Sequence, residues 1–301
     1  MGREILLTLL VLLFGGLAMQ PFMLLPGRDI ADLTTRTAEH RAWLQLWVPV
    51  LPMLFVCAGL CGWALREPDP VRARFDHGML IGASLPFALL ALRAALRAGW
   101  ALVREPLECP VCTVGMLRPR IVVDPYLARA LDEAQLRAAI EHERAHARHR
   151  DPLRIWLAQL VTDLQWPWPW AHRRFEVWLE LVEHARDDEA RGRGVPGTDL
   201  AEAVLATARR ARLARHPMRA AWRPGGEAAL LGDARSLELR VRRLLAPVPA
   251  DHAAHAARAD PSRSAQAALA LVAVSLGLAL VLGALFGNDL LHPFFHWTWS
   301  V

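Results

Sequence analysis

The chain contains no lysine, so every one of its 35 Lys-or-Arg positions is an arginine. A sequence pI near 9.8 therefore partly reflects a preference for one basic residue. Between Arg104 and Arg263 the arginines barely outnumber carboxylates and are interleaved with them, the pattern of a solvated helical surface. That excludes a nucleic-acid footprint, which needs a concentrated basic face. Cysteine is scarce as well: four residues in two pairs, Cys57 with Cys61 and Cys109 with Cys112. Neither pair makes a disulfide framework, and a structural zinc site built on Cys109-Pro110-Val111-Cys112 would need a second such pair, which is missing. No internal repeat at solenoid spacing is present either.

What the chain has in excess is apolar surface, at 54% hydrophobic residues and a mean hydropathy of +0.20. Uncharged stretches run over 5–27, 42–65, 78–92 and 264–288. A helix crossing hydrocarbon needs about 20 apolar residues, which three of them supply unaided. The third is shorter, but Arg93 and Arg97 at its end can lift their charges to the interface while Leu92, Leu96 and Trp100 continue the apolar surface. The first is too long for a signal peptide and lacks a convincing cleavage site, so it reads as a retained anchor. The expected organisation is a membrane module over 1–103, a polar domain over 104–250, a linker over 251–265, a fourth span over 266–288 and a short tail over 289–301. Phe294, Phe295, Trp297 and Trp299 give that tail the look of an interfacial aromatic anchor.

Chemistry belongs in the polar segment. Thr113-Val114-Gly115 and Arg120-Ile121-Val122-Val123 read as short strands about a turn at 115–119, hence a small hairpin. Asp132 followed by Gln135 is a capping-box pattern, and Leu136 and Ile140 add an apolar stripe, predicting a helix from Glu133 to about Arg150. Asp151-Pro152 ends or bends it. A second helix is expected over 153–165, then a Trp-Pro knot over 166–170, then helices over 171–190, 199–215 and 233–245.

The first of these helices carries His142-Glu143-Arg144-Ala145-His146. Histidines four residues apart project from one helix face and can share a metal, with Glu143 beside them as base toward the metal's water. A catalytic zinc wants three protein ligands and an open position, and Glu183 in Glu183-His184-Ala185-Arg186-Asp187 can complete the set. Asp187, one turn on, can hydrogen-bond the far nitrogen of a ligating histidine. Glu176, Glu180 and His184 compete with Glu183, and Asp188 competes with Asp187. The plain alternative is a set of ion pairs on exposed helices. His149 lies roughly 60° around the helix from His146 and reads as surface. The run lacks the glycine and third histidine of the metzincin extension.

These residues resemble the BlaR/MecR-type membrane metallopeptidases, whose best-known members are receptors that inactivate a transcriptional repressor after sensing β-lactams. The likeness covers about 112–245 and rests on 115–121, on Leu136 to His146 with Arg150-Asp151, on Pro167 to Trp170 and on Glu183 to Asp187. It implies zinc held by His142, His146 and Glu183, Glu143 as catalytic base, Asp187 in support, and a hairpin edge offered to an extended substrate. Where the family usually reads Ala-Cys-Asp, this chain reads Ala185-Arg186-Asp187, which leaves the carboxylates intact. Residues 289–301 are too few for a penicillin-binding sensor, so β-lactam sensing by this chain is not expected.

The expected fold is mostly α: multi-pass membrane helices with an inserted zincin-like helical metallopeptidase domain that carries a small hairpin. The expected partners are the bilayer and a protein substrate such as a BlaI/MecI-like repressor, without direct nucleic-acid binding. The expected location is a bacterial-type inner membrane with the peptidase domain in the cytoplasm. That orientation rests on Arg93, Arg97 and Arg104 and on the resemblance, since the loops over 28–41 and 66–76 carry three arginines each. Two other readings are an HtpX/CAAX-protease-like quality-control enzyme, for which the interval from His146 to Glu183 is compact, and a non-catalytic zinc-binding scaffold.

Overall fold

In the computed structural model the described residues are 35–51, 92–100, 111–125, 131–166, 168–213 and 234–247, with positions 54, 55, 58, 89 and 129 and parts of 274–285. They are mostly helical with one two-stranded antiparallel sheet. The apolar stretch over 5–27, the linker and the aromatic tail lie outside the described residues, and the other three apolar stretches lie partly outside. Among the described residues no helix is long and apolar enough to cross a membrane.

The chain divides into two compact units, one of 28–46 with 94–260 and the other of 1–27, 47–93 and 261–301. In the first, α1 (Thr35–Trp47) is followed by β1 (Val111–Val114), β2 (Arg120–Val123), α2 (Glu133–His149), α3 (Asp151–Leu164), α4 (Pro169–Gly192), α5 (Gly197–Leu213) and α6 (Ala234–Leu245). The elements follow local chemistry closely. Asp132 accepts from the Gln135 backbone N–H at 2.8 Å while the Gln135 side chain accepts from the Asp132 N–H at 3.3 Å, so α2 starts where the capping box places it. It stops at Arg150, the one described non-glycine residue in the left-handed region, and α3 begins at the very next residue with Pro152 in its first turn. In the hairpin, Val111 pairs with Val123 and Val114 with Arg120. Gly115 closes it at φ +95°, where a side chain would collide with the Arg118 carbonyl.

The sequence placed 28–41 in a loop and began a span at Ala42. The structure instead runs α1 through both, and buries Ala38, Ala42, Trp43 and Leu46 in the first unit. Trp43 packs on Trp178 at 5.0 Å between ring centroids, and the Gln165 side-chain amide donates to the Leu46 carbonyl. The apolar residues that resemble the start of a span are thus, up to Leu46, one face of an amphipathic helix seated on α3 and α4.

Ala138, Ala190, Leu200, Ala201 and Leu244 form a core joining α2, α4, α5 and α6. Val111 and Leu131, with Ile121, Ile140 and Ala206, form another beneath the hairpin. Small residues allow helices to approach closely, most tightly at Gly197, where a Cβ would lie 2.1 Å from the Leu244 carbonyl oxygen. Gly197→Ala is expected to push α6 off α5 and lower stability by about 1–3 kcal/mol, read by urea unfolding.

Candidate metal centre

Helix α2 presents His142 and His146 inward, both at least nine-tenths buried, with their Nε2 atoms 3.0 Å apart. Helix α4 brings Glu183 opposite them, each carboxylate oxygen 3.5 Å from one of those nitrogens. Donor atoms of the three residues all lie within 4.8 Å of one another. Two imidazoles and a carboxylate converging in this way are a donor set of the kind a catalytic zinc takes. The competing acids stand elsewhere. Glu176 is exposed, and Asp188 is engaged by Thr35 and Arg243. Burial and the Arg243 charge lower the pKa of His184, which is not among the converging donors.

The far nitrogens face carboxylates. Asp187, one turn beyond Glu183, sits 2.9 Å from His142 Nδ1, and Asp151 sits 2.9 Å from His146 Nδ1. Such partners turn both Nε2 atoms toward the shared point and raise their basicity. Asp187 was legible as a helical neighbour of Glu183. Asp151 entered the sequence reading as a helix end and as part of the resemblance, without a role of its own, and its side chain is completely buried.

A cation closes the cluster. Arg240 of α6 contacts Glu183 at 2.7 Å and Asp187 at 2.8 and 2.9 Å, and its guanidinium reaches within 3.3 Å of His142 Nε2. Nothing in the sequence singled it out from its arginine neighbours, because 98 residues separate it from His142. Its effect on the charge states is large. Burial would raise the carboxyls of Glu183 and Asp187, but the Arg240 charge and the adjoining histidines hold both well below the usual range. Burial would likewise depress His142, but the adjoining carboxylates of Asp187 and Glu183 outweigh it and lift the ring to about 10. His146 is raised against burial by the Glu183 charge and the Asp151 hydrogen bond. The cluster is therefore built for positive charge at its centre.

Glu143, between the two histidines, is held from the hairpin. The Thr113 hydroxyl of β1 lies 2.7 Å from Glu143 Oε2 and 2.8 Å from its backbone carbonyl. The sheet thus has a direct hold on the carboxylate next to the metal donors.

His149 proves more enclosed than a surface residue. It contacts Glu189 at 2.7 Å with its side chain only 6% exposed, and burial lowers its pKa. It is not among the converging donors.

Residues 102–222 match the family described as BlaR1 peptidase M56. Over this segment the chain is similar to the BlaR/MecR-type peptidases. No curated protein and no solved structure matches the chain. The matched segment contains the hairpin, α2, α3, α4 and α5, and with them the three candidate metal donors, Glu143, Asp151 and Asp187. It contains neither α1 nor α6, so Arg240 enters the peptidase site from outside the family match.

Proposed function

We propose that the chain is a membrane-anchored zinc endopeptidase that carries out regulatory cleavage of a protein, with a BlaI/MecI-like repressor as the candidate substrate. The observation that carries the reading is the convergence of His142, His146 and Glu183 beside Glu143 within a BlaR/MecR-type peptidase segment. Zinc, when bound, supplies Lewis-acid chemistry: it acidifies water and polarises a carbonyl. The remaining work falls to the protein. Glu143 takes the proton from the attacking water and passes it to the leaving amine. Asp187 and Asp151 hold the histidine rings in one tautomer. Arg240 balances the negative charge of Glu183 and Asp187.

The hairpin suits an extended substrate. Among the described residues β1 and β2 pair as strands only with each other, and Thr113 links that sheet to Glu143. The membrane reading draws on the four apolar stretches and on exposed apolar residues such as Leu96 and Trp100. Packing of α1 into the same compact unit as the peptidase segment supports placing 28–46 and 94–260 on one side of a bilayer, as two intervening spans would require. The cytoplasm is the proposed side, from the arginines that end the third apolar stretch.

The test compares wild type with Glu143→Gln. Both purified proteins are expected to hold about one zinc per chain, and only wild type to cleave the repressor encoded nearest it. In cells, proteomics should show one protein that persists uncut in the Glu143→Gln strain. Zinc in both proteins with no substrate accumulating under any condition would sink the peptidase reading in favour of a scaffold.

A further inference from the structure

We propose that Glu39, on α1, is a positioning residue of the metal centre, acting on His146 through a buried chain of alternating charge. The inference rests on the zinc-site reading above and adds a residue far outside the family match. His146 Nδ1 meets Asp151, which is gripped on its other sides by two arginines: Arg186 through Nε and through Nη2 at 2.9 Å, and Arg154 at 3.0 Å. Both arginines also face Glu39, Arg154 by hydrogen bond and Arg186 at 3.7 Å. The side chains of Glu39, Asp151 and Arg186 are 5%, 0% and 1% exposed. Two carboxylates and two guanidiniums thus balance one another out of water.

Balance is what makes Glu39 matter at a distance. With Glu39 neutral, two buried cations would share Asp151 alone and draw it toward themselves, away from His146 Nδ1. The ring would lose its anionic partner, and with it part of its basicity and orientation as a ligand. Burial opposes the ionised form of Glu39, yet Arg154 and Arg186 keep its carboxyl below the ordinary value, so the charge is present at neutral pH. Helix α1 is fixed at a second point as well, where Thr35 donates to Asp188 and accepts from Arg243, one turn from Arg240. The helix that leads into the second apolar stretch therefore grips both sides of the metal centre.

The experiment uses the purified full-length chain and reads metal affinity by chelator competition, together with the visible spectrum of the cobalt-substituted protein. Glu39→Gln is expected to weaken affinity at least about tenfold and to alter the cobalt spectrum. Glu39→Asp, which keeps the charge on a shorter arm, should fall between the two. Leu46→Ala removes a fully buried side chain from the same helix outside the charge chain, and should lower thermal stability while leaving affinity and spectrum as in wild type. A folded Glu39→Gln protein with wild-type affinity and spectrum overturns the proposal; if that variant does not fold, Glu39→Gln combined with Arg154→Gln, which removes one buried charge of each sign, decides: a fold that binds metal no better than Glu39→Asp overturns it. So does a Leu46→Ala protein that loses metal as readily as Glu39→Gln. Wild type that binds no divalent metal overturns the zinc reading itself, which is distinguishable from a normal wild-type site indifferent to Glu39.

Discussion

Asp151→Asn should destabilise the protein by about 3–5 kcal/mol at neutral pH and weaken metal binding about 10- to 100-fold. Both effects come from the same atom positions. Asp151 is fully buried and supplies the anion shared by Arg186, Arg154 and the His146 ring. Asparagine fills the same space but carries no charge, so the two arginines are left with Glu39 alone, and a buried cation without its counter-ion is strongly unfavourable. The ring can still find an oxygen acceptor in the amide, which is why metal binding should weaken rather than vanish. Burial raises the Asp151 carboxyl, but Arg186, the His146 hydrogen bond and Arg154 together hold it well below its ordinary value. Its contribution to stability is therefore present above the unfolded carboxyl pKa and lost as pH falls through the lower folded value. Wild type should lose stability on acidification below about pH 4, and the asparagine variant should show a weaker dependence there. Denaturant unfolding across pH, combined with chelator competition at pH 7, would check both parts. A variant as stable as wild type would mean that the buried charges are not held as the geometry indicates.

The second large effect is on the pH dependence of metal uptake. In the metal-free centre His142 is raised to about 10, and His146 is raised too. A metal ion can bind these rings only by displacing their protons, so apparent affinity should climb at least about tenfold per pH unit from neutrality toward pH 10. An ordinary histidine pair would give a flat profile above about pH 7. For the metal-free fold the sign is the reverse. The stabilisation from protonated His142 is complete below its unfolded pKa of 6.5 and is lost as pH rises through about 10. Metal should therefore stabilise the protein progressively more as pH increases, read as a growing difference in Tm with and without zinc. A metal affinity that levels off near pH 7 would show that Asp187 and Glu183 do not hold the proton on His142.

Much of the site was legible because its chemistry is local. The four-residue spacing of His142 and His146, the capping box at Asp132 and the turn at Gly115 each depend on residues within a few positions, and backbone geometry converts such spacings directly into directions. Glu183 was harder. It competed with Glu176, Glu180 and His184 on one helix, and only the docking of α4 against α2 selects the carboxylate that faces both histidines. The polar segment's helices fell close to their predicted bounds, whereas α1 was missed because its apolar positions were counted into a longer uncharged stretch.

The sequence by itself singled out the histidine pair, the glutamate beside it and the type of segment that carries them, since those reside in short motifs. Tertiary structure alone decided what surrounds them. Asp151 became the partner of His146, Arg240 arrived from 98 residues away, and Glu39 came within reach of Arg154 across 115. Pairings over the last two of these distances leave no periodic trace in a single sequence. They exist because packing removes these charges from water, and a buried charge must find its opposite wherever the fold brings one.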